Sequence, residues 1–199
     1  MNMNIERGAI ALGAFGLLAG CVAGLNASET RFTVVDSSSS SWVARGYSDY
    51  TVSGDNGWSF DVSRIGNRIR FRTDGVALPG TGVSYWDMTF AAAFDAVIVP
   101  GLYEDFQRWP FQDSDRPGLS FSSTGRLDNM ASGFFEVWQA DYDTNGDLLA
   151  FAADFTHYGE QNLNNWAMVE VRYNATVPAP AGIGVFAVVG GLSACRRRR

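Results

Sequence analysis

Phe135-Glu136-Val137-Trp138-Gln139-Ala140-Asp141-Tyr142-Asp143-Thr144-Asn145-Gly146-Asp147-Leu148 is the stretch on which the fold turns. Phe135, Val137 and Gln139 alternate with Glu136, Trp138 and Ala140, the two-residue period of a strand with one buried face. A second apolar run covers 148–155. Asn145-Gly146 stands between the two runs and favours a type I′ turn, because both central residues of that turn need positive φ. The segment predicts a β-hairpin, with Trp138 on the face opposite Phe135 and Val137.

The same period recurs on both sides. Residues 31–35 read as a first strand, the serine run 37–41 as a loop, and 42–44 and 47–52 as short β segments around Gly46. Ser53-Gly54-Asp55-Asn56-Gly57 is dense turn chemistry. Trp58, Phe60 and Val62 alternate with Ser59, Asp61 and Ser63. After a Gly66-Asn67 turn, Ile69 and Phe71 alternate with Arg68, Arg70 and Arg72, so three arginines share one face. Leu78-Pro79-Gly80 breaks the pattern before a strand at 84–93, which an apolar strand at 94–99 continues. Next come a strand at 102–106, an aromatic cluster at Arg108-Trp109-Pro110-Phe111 and an acidic Pro-Gly loop over 113–118. A last strand spans 166–173, with Ala167, Val169 and Val171 on one side. No helical apolar repeat longer than two turns precedes the final two dozen residues. Eight to ten short strands predict one all-β domain over 28–176, an antiparallel β-sandwich or a barrel-like fold.

Composition agrees. Aromatic residues make up 14% of the 199-residue chain and charged ones only 18%, a balance suited to a pleated, half-buried surface. Lysine is absent, and the net charge is −6. Between residues 28 and 176 stand ten arginines and twenty acids, a charge near −10. Such a surface repels phosphate backbones and argues against a nucleic-acid partner. Cys21 and Cys195 are the two cysteines, and both lie outside the domain, so it holds no internal disulfide.

The ends read as addresses. Residues 9–23 form an apolar run behind Arg7, the length of a signal-peptide core and short of a spanning helix. Ordinary cleavage after Leu25-Asn26-Ala27, giving a signal peptide over 1–27, is the favoured route, because the C-terminal tail already supplies an anchor. The alternative rests on Leu18-Ala19-Gly20-Cys21, which looks like a lipobox and would make Cys21 a lipidation site. At the other end, Val177, Pro178, Ala179 and Pro180 precede an apolar segment at 181–195, which ends on Arg196, Arg197, Arg198 and Arg199. This order resembles the PEP-CTERM sorting signal of exosortase-processed bacterial surface proteins, with Ala179 where that family has Glu. The resemblance implies a sorting tail over 177–199 with a short apolar helix, an exosortase-type processing enzyme as partner, and a matrix or envelope role, because such systems accompany exopolysaccharide production. Fifteen residues make a helix about 22 Å long at roughly 1.5 Å per residue, short of a hydrocarbon core of roughly 30 Å. That length suits a sorting segment in transient membrane contact, with the arginines on the cytoplasmic side.

The central part is similar to an uncharacterised β-rich domain of secreted bacterial proteins. The matching stretches are Arg108-Trp109-Pro110-Phe111-Gln112, Pro117-Gly118-Leu119, Gly125-Arg126, Tyr142 with Gly146, and Phe151-Ala152-Ala153-Asp154-Phe155 followed by His157. The resemblance implies a cysteine soon after Gly-Arg and another just after the His. This chain has Asp128 and Tyr158 near those places.

Candidate chemistry is sparse. Asp141, Asp143, Asn145 and Asp147 space oxygen ligands as the first half of a calcium loop does, but the twelfth position, which needs a bidentate acid, is Ala152. An Asx-rich turn without metal is the simpler reading. His157, the only histidine, stands beside Asp154 and Glu160. Alone it makes no His-rich zinc site, and no Gly-x-Ser-x-Gly elbow accompanies it. Glu104, Asp105, Glu136, Glu160 and Glu170 are the pool from which a glycosidase pair would come. Six tryptophans (Trp42, Trp58, Trp86, Trp109, Trp138 and Trp166) predict a largely aromatic core. Trp138 is the candidate for stacking on a sugar. The expectation is an exported, non-enzymatic surface or matrix protein with no cofactor. A carbohydrate-binding module for exopolysaccharide is the first alternative, and a lipoprotein or secreted hydrolase the second.

Overall fold

The computed structural model describes residues 28–77 and 80–176. The segments 1–27 and 177–199, with Cys21, the 177–180 motif, the apolar helix and the 196–199 cluster, lie outside the described residues. No helix among the described residues is long and apolar enough to cross a membrane.

Twelve strands form two six-stranded sheets. The first sheet runs in the order β2 (Tyr50–Ser53), β1 (Glu29–Ser37), β12 (Trp166–Ala175), β11 (Leu148–Gly159), β10 (Ala131–Tyr142) and β6 (Gly101–Tyr103). The second runs β3 (Ser59–Ile65), β4 (Arg68–Asp74), β5 (Tyr85–Ala91) and β8 (Gly118–Ser123). The free edge of β8 is shared by β7 (Gln107–Arg108) at one end and β9 (Arg126–Leu127) at the other. All pairings are antiparallel except β7 with β8.

The inner faces meet through aromatic rings. Trp86 stacks on Phe32 at 4.8 Å and on Phe121 at 5.6 Å. Phe90 meets Phe135, Phe151 and Phe155 edge-on at 5.4, 5.2 and 5.9 Å. Rings from both sheets interdigitate, so of the two architectures expected the molecule is the sandwich.

Three local readings change. Residues 94–99 make no strand: Phe94 and Asp95 take left-handed φ values of 57° and 51° within a one-turn 3-10 helix (Ala93–Asp95), and of the following apolar residues only Ile98 is buried. Residues 42–44 form turns, not a β segment. The hairpin turn is not type I′, because among its residues only Gly146 has positive φ (85°). Its amide bonds to Asp143 O at 3.0 Å, while Asp143 N donates to Asp147 O at 2.9 Å. That is a type I turn closed by a left-handed glycine, the pattern of a longer hairpin loop.

The β10–β11 ladder slips between Val137 and Gln139, leaving Trp138 with no cross-strand partner. This β-bulge resets the inward face: beyond it Ala140 and Tyr142, not Gln139, pack on the core. Earlier in β10, Gly133 has φ 140°, and a Cβ there would lie 2.0 Å from Thr156 O and 3.0 Å from the Phe106 ring. Only glycine lets the two strands approach so closely. Gly133→Ala is expected to lower unfolding stability by about 2 kcal/mol or more, read as a fall in the midpoint of urea denaturation.

Candidate functional site

The outer face of the first sheet gathers the chain's most unusual side chains. Cross-strand register sets Glu136, Asp154 and Glu170 in one row across β10, β11 and β12. The next row is Phe134, Thr156 and Met168, and the one after it is Ser132, Tyr158 and Trp166. On the other side of the acidic row stands the bulge residue Trp138. Two grooves of about 370 and 420 Å³ share Phe134, Thr156 and Met168, so they join into one trough bounded by Trp138 at one end and Leu163 at the other.

Beneath this face Arg172 is fully buried, although its side chain leaves β12 away from the core. Its Nη1 lies 2.7 Å from Asp154 Oδ1 and donates to Ala153 O and Val171 O at 3.0 and 2.9 Å. A buried guanidinium without such partners would be very costly. Arg31 Nη2 holds Glu170 at 2.7 Å. Burial works against the charge on Arg31, but Glu170 and Glu29 outweigh it and leave the guanidinium above its ordinary value. Trp138 Nε1 donates to Asp154 Oδ2 at 2.9 Å. The Trp138 ring, 42% exposed, is therefore fixed at its edge by a carboxylate that Arg172 fixes in turn. Phe134 is 44% exposed in the same trough. Glu136 has no ion pair among the described residues and offers free acceptor oxygens. The arrangement suits a polyol: ring faces take C–H surfaces and carboxylates accept hydroxyl protons.

The other candidate residues lie as follows. Asp143 Oδ1 accepts the amides of Asn145 and Asp147, both at 2.8 Å, and Asn145 Nδ2 points back at Oδ2. These bonds, that from Asp147 above all, hold the Asp143 carboxyl below the usual range. Arg64 Nη1 caps the loop at Gly146 O, 2.9 Å away, and Asp141 takes the Gln139 amide. The Asp143 carboxylate is thus engaged by the loop's own amides. Among the described residues no three His, Cys, Asp or Glu side chains gather as metal ligands.

Of the carboxylate pool, Glu136 and Glu170 share the trough. Glu104 and Asp105 lie in the exposed loop after β6, where Asp105 meets Arg116 at 3.3 Å, and Glu160 lies in the β11–β12 turn. Asp154 and Glu170 are both engaged by arginines, which leaves Glu136 without a second free acid to work with. Of the six tryptophans only Trp58 and Trp86 are buried. The core relies instead on phenylalanine, and Trp42 is 51% exposed under the Arg126 guanidinium, 4.2 Å from its ring.

His157 points into the core, away from Asp154, and packs between Phe106 and Phe121. Its Nδ1 lies 3.9 Å from Asp128 Oδ2, with both residues buried. Burial lowers the His157 pKa to about 4 and, with the nearby Glu160 charge, raises that of Asp128 to about 6. Asp128 packs on Gly159, where its Oδ2 lies 2.3 Å from the place a Cβ would take. Tyr158 is in the outer row, so Asp128 and Tyr158 do not face each other.

Register and alternation make the aromatic rows legible in sequence. The buried Arg172 and its clamp on Asp154 are not legible there, because an arginine between Val171 and Tyr173 carries no sign of burial. Comparison of the chain with protein-family profiles, curated proteins and solved structures finds no match.

The two buried groups oppose each other as pH falls. His157, with a folded pKa below its ordinary 6.5, contributes stability above pH 6.5 that is lost as pH drops towards 4. Asp128, with a folded pKa above its ordinary 3.8, contributes stability that is present below 3.8 and lost as pH rises through 6. Asp128→Asn removes the second effect alone. Its melting temperature relative to the parent chain is expected to fall steadily from pH 6.5 to 4, and thermal scans across that window check it.

Proposed function

We propose that this chain is an exported, non-enzymatic protein of the cell surface or extracellular matrix that holds a polysaccharide in the trough on the first sheet's outer face. The observation that carries the reading is Trp138. It is a half-exposed indole on a bulge, locked by Asp154 and seated above a fully buried Arg172. A rigid aromatic face next to a carboxylate held in place binds with little loss of side-chain freedom. The non-enzymatic part rests on the arginine pairing of Asp154 and Glu170.

Export rests on the two ends of the sequence. The apolar run at 9–23 directs the chain out of the cytoplasm, and the PEP-CTERM-like tail at 177–199 delivers it to an exosortase-type enzyme after transient membrane attachment. The acidic, lysine-free surface suits an envelope protein without nucleic-acid contacts.

Retention on insoluble polysaccharide from the extracellular matrix tests the trough. The parent chain is expected to be retained, and Trp138→Ala to weaken retention at least tenfold, with circular dichroism unchanged. Equal retention of both would refute the reading. The ends are tested separately by intact mass of the protein recovered from native membranes and medium. The expected mass lacks residues 1–27 and the 196–199 arginines. An acyl adduct on Cys21 would replace the first cleavage by lipoprotein processing, and a mass retaining the arginines would end the sorting reading.

A further inference from the structure

The opposite face of the sandwich carries a groove of different chemistry. Alternation puts Arg68, Arg70 and Arg72 of β4 outward, beside Asp87 and Thr89 of β5 and Ser120 and Ser122 of β8. Two cavities of about 430 and 350 Å³ open along this face and share Arg68 and Trp109, so that pair sits where they join. The far cavity is flanked by Phe94, and the near one by Ile65 and Leu127.

The arginines are not alike. Arg70 makes a two-pronged pair with Asp87, and Arg72 is held by Asp74 and Asp87. Those guanidinium groups are spent. Arg68 donates only Nε, to Ile65 O at 3.3 Å, and its guanidinium lies 5.7 Å from the Trp109 ring centre. Among the described residues no carboxylate reaches it. An arginine stacked on tryptophan with its fork unused is preorganised for a planar carboxylate.

A second observation points the same way. Phe94 is 75% exposed and has φ 57°, followed by Asp95 at 51°. An aromatic residue seldom takes that conformation, and it persists only where the surroundings hold it. Here Phe94 N donates to Ser114 O, and Asn67 Nδ2 to Asp95 O at 2.7 Å. The loop thus holds a phenyl ring out beside the groove instead of hiding it.

We infer that this face is a second, separate binding site, for a carboxylated saccharide. A uronate ring lies against Trp109 with its carboxylate in the Arg68 fork, and its hydroxyls meet the Thr89 and Ser120 side chains. The inference does not depend on the trough across the sandwich. With both sites filled, one molecule bridges two glycan chains.

The test uses the full chain in a polyoxyethylene detergent and two probes, an oligogalacturonide and the same oligomer methyl-esterified. Tryptophan fluorescence and calorimetry are expected to show the acid bound at least tenfold more tightly than the ester, with the difference shrinking as salt rises. Arg68→Gln should abolish that preference. Arg68→Lys should restore it only in part, which a folding defect would not do. Trp109→Ala should weaken binding of both probes, and Trp138→Ala should leave the preference unchanged. Equal affinity for acid and ester, or a preference that survives in Arg68→Gln at an unchanged melting temperature, would overturn the inference. Loss of the preference in Trp138→Ala would do the same, by placing the acid in the trough.

Discussion

Trp86 is held between Phe32 and Phe121, one ring from each sheet, and Phe90 is ringed by Phe135, Phe151 and Phe155. The rest of the structure depends on this interlock. No disulfide crosses the domain, and the sheets are joined across their inner faces by apolar contact. Rings of this size contribute roughly 0.5–1.5 kcal/mol per favourable pair beyond their burial. They also fix the angle at which one sheet meets the other, and so which residues each outer face presents. Arg64 adds a polar tie: it reaches from β3 to Gly146 O and lies 5.3 Å from the Tyr142 ring centre.

The first sheet's outer face works by a different balance. Burying Arg172 is unfavourable unless its charge is met, and Asp154 meets it at 2.7 Å while two backbone carbonyls accept from Nη1. That need decides where Asp154 points, and Asp154 decides how the Trp138 ring stands. An exposed tryptophan ordinarily samples several rotamers. Here the cost of a buried guanidinium is turned into rigidity at the surface. On the second sheet the same residue type behaves otherwise, since Asp87 and Asp74 satisfy Arg70 and Arg72 and leave Arg68 over.

Much of the architecture is legible in the residues alone. Ile69 and Phe71 against Arg68, Arg70 and Arg72 place β4 and its outward arginines correctly, and Ala167, Val169 and Val171 do so for β12. The strand at Gly118–Ser123 escapes notice because only Leu119 and Phe121 mark its inner face, and Pro117-Gly118 reads as loop chemistry. Residues 94–99 mislead in the opposite sense: their apolar character suggests a strand, yet Phe94 serves the surface. The candidate site is half legible. Parity gives Trp138 its face, but a bulge is invisible to strict alternation, and it displaces Gln139 from the inward set. Arg172, Asp154 and the Arg68–Trp109 pair depend on contacts between residues distant in sequence, which no local pattern records.

Glu29 pairs with Ala175, so the chain enters and leaves the described domain at one end of adjacent strands, and Thr176 N is tied to Gln139 Oε1 at 3.0 Å. β12 has neighbours on both sides, β1 and β11. Tension applied at the C-terminal end of the described domain would run along β12 and load both ladders in parallel, so that many hydrogen bonds resist together instead of opening one by one. Such tension would enter through the very strand that carries Arg172, so the residue that fixes Asp154, and through it Trp138, sits on the load-bearing strand.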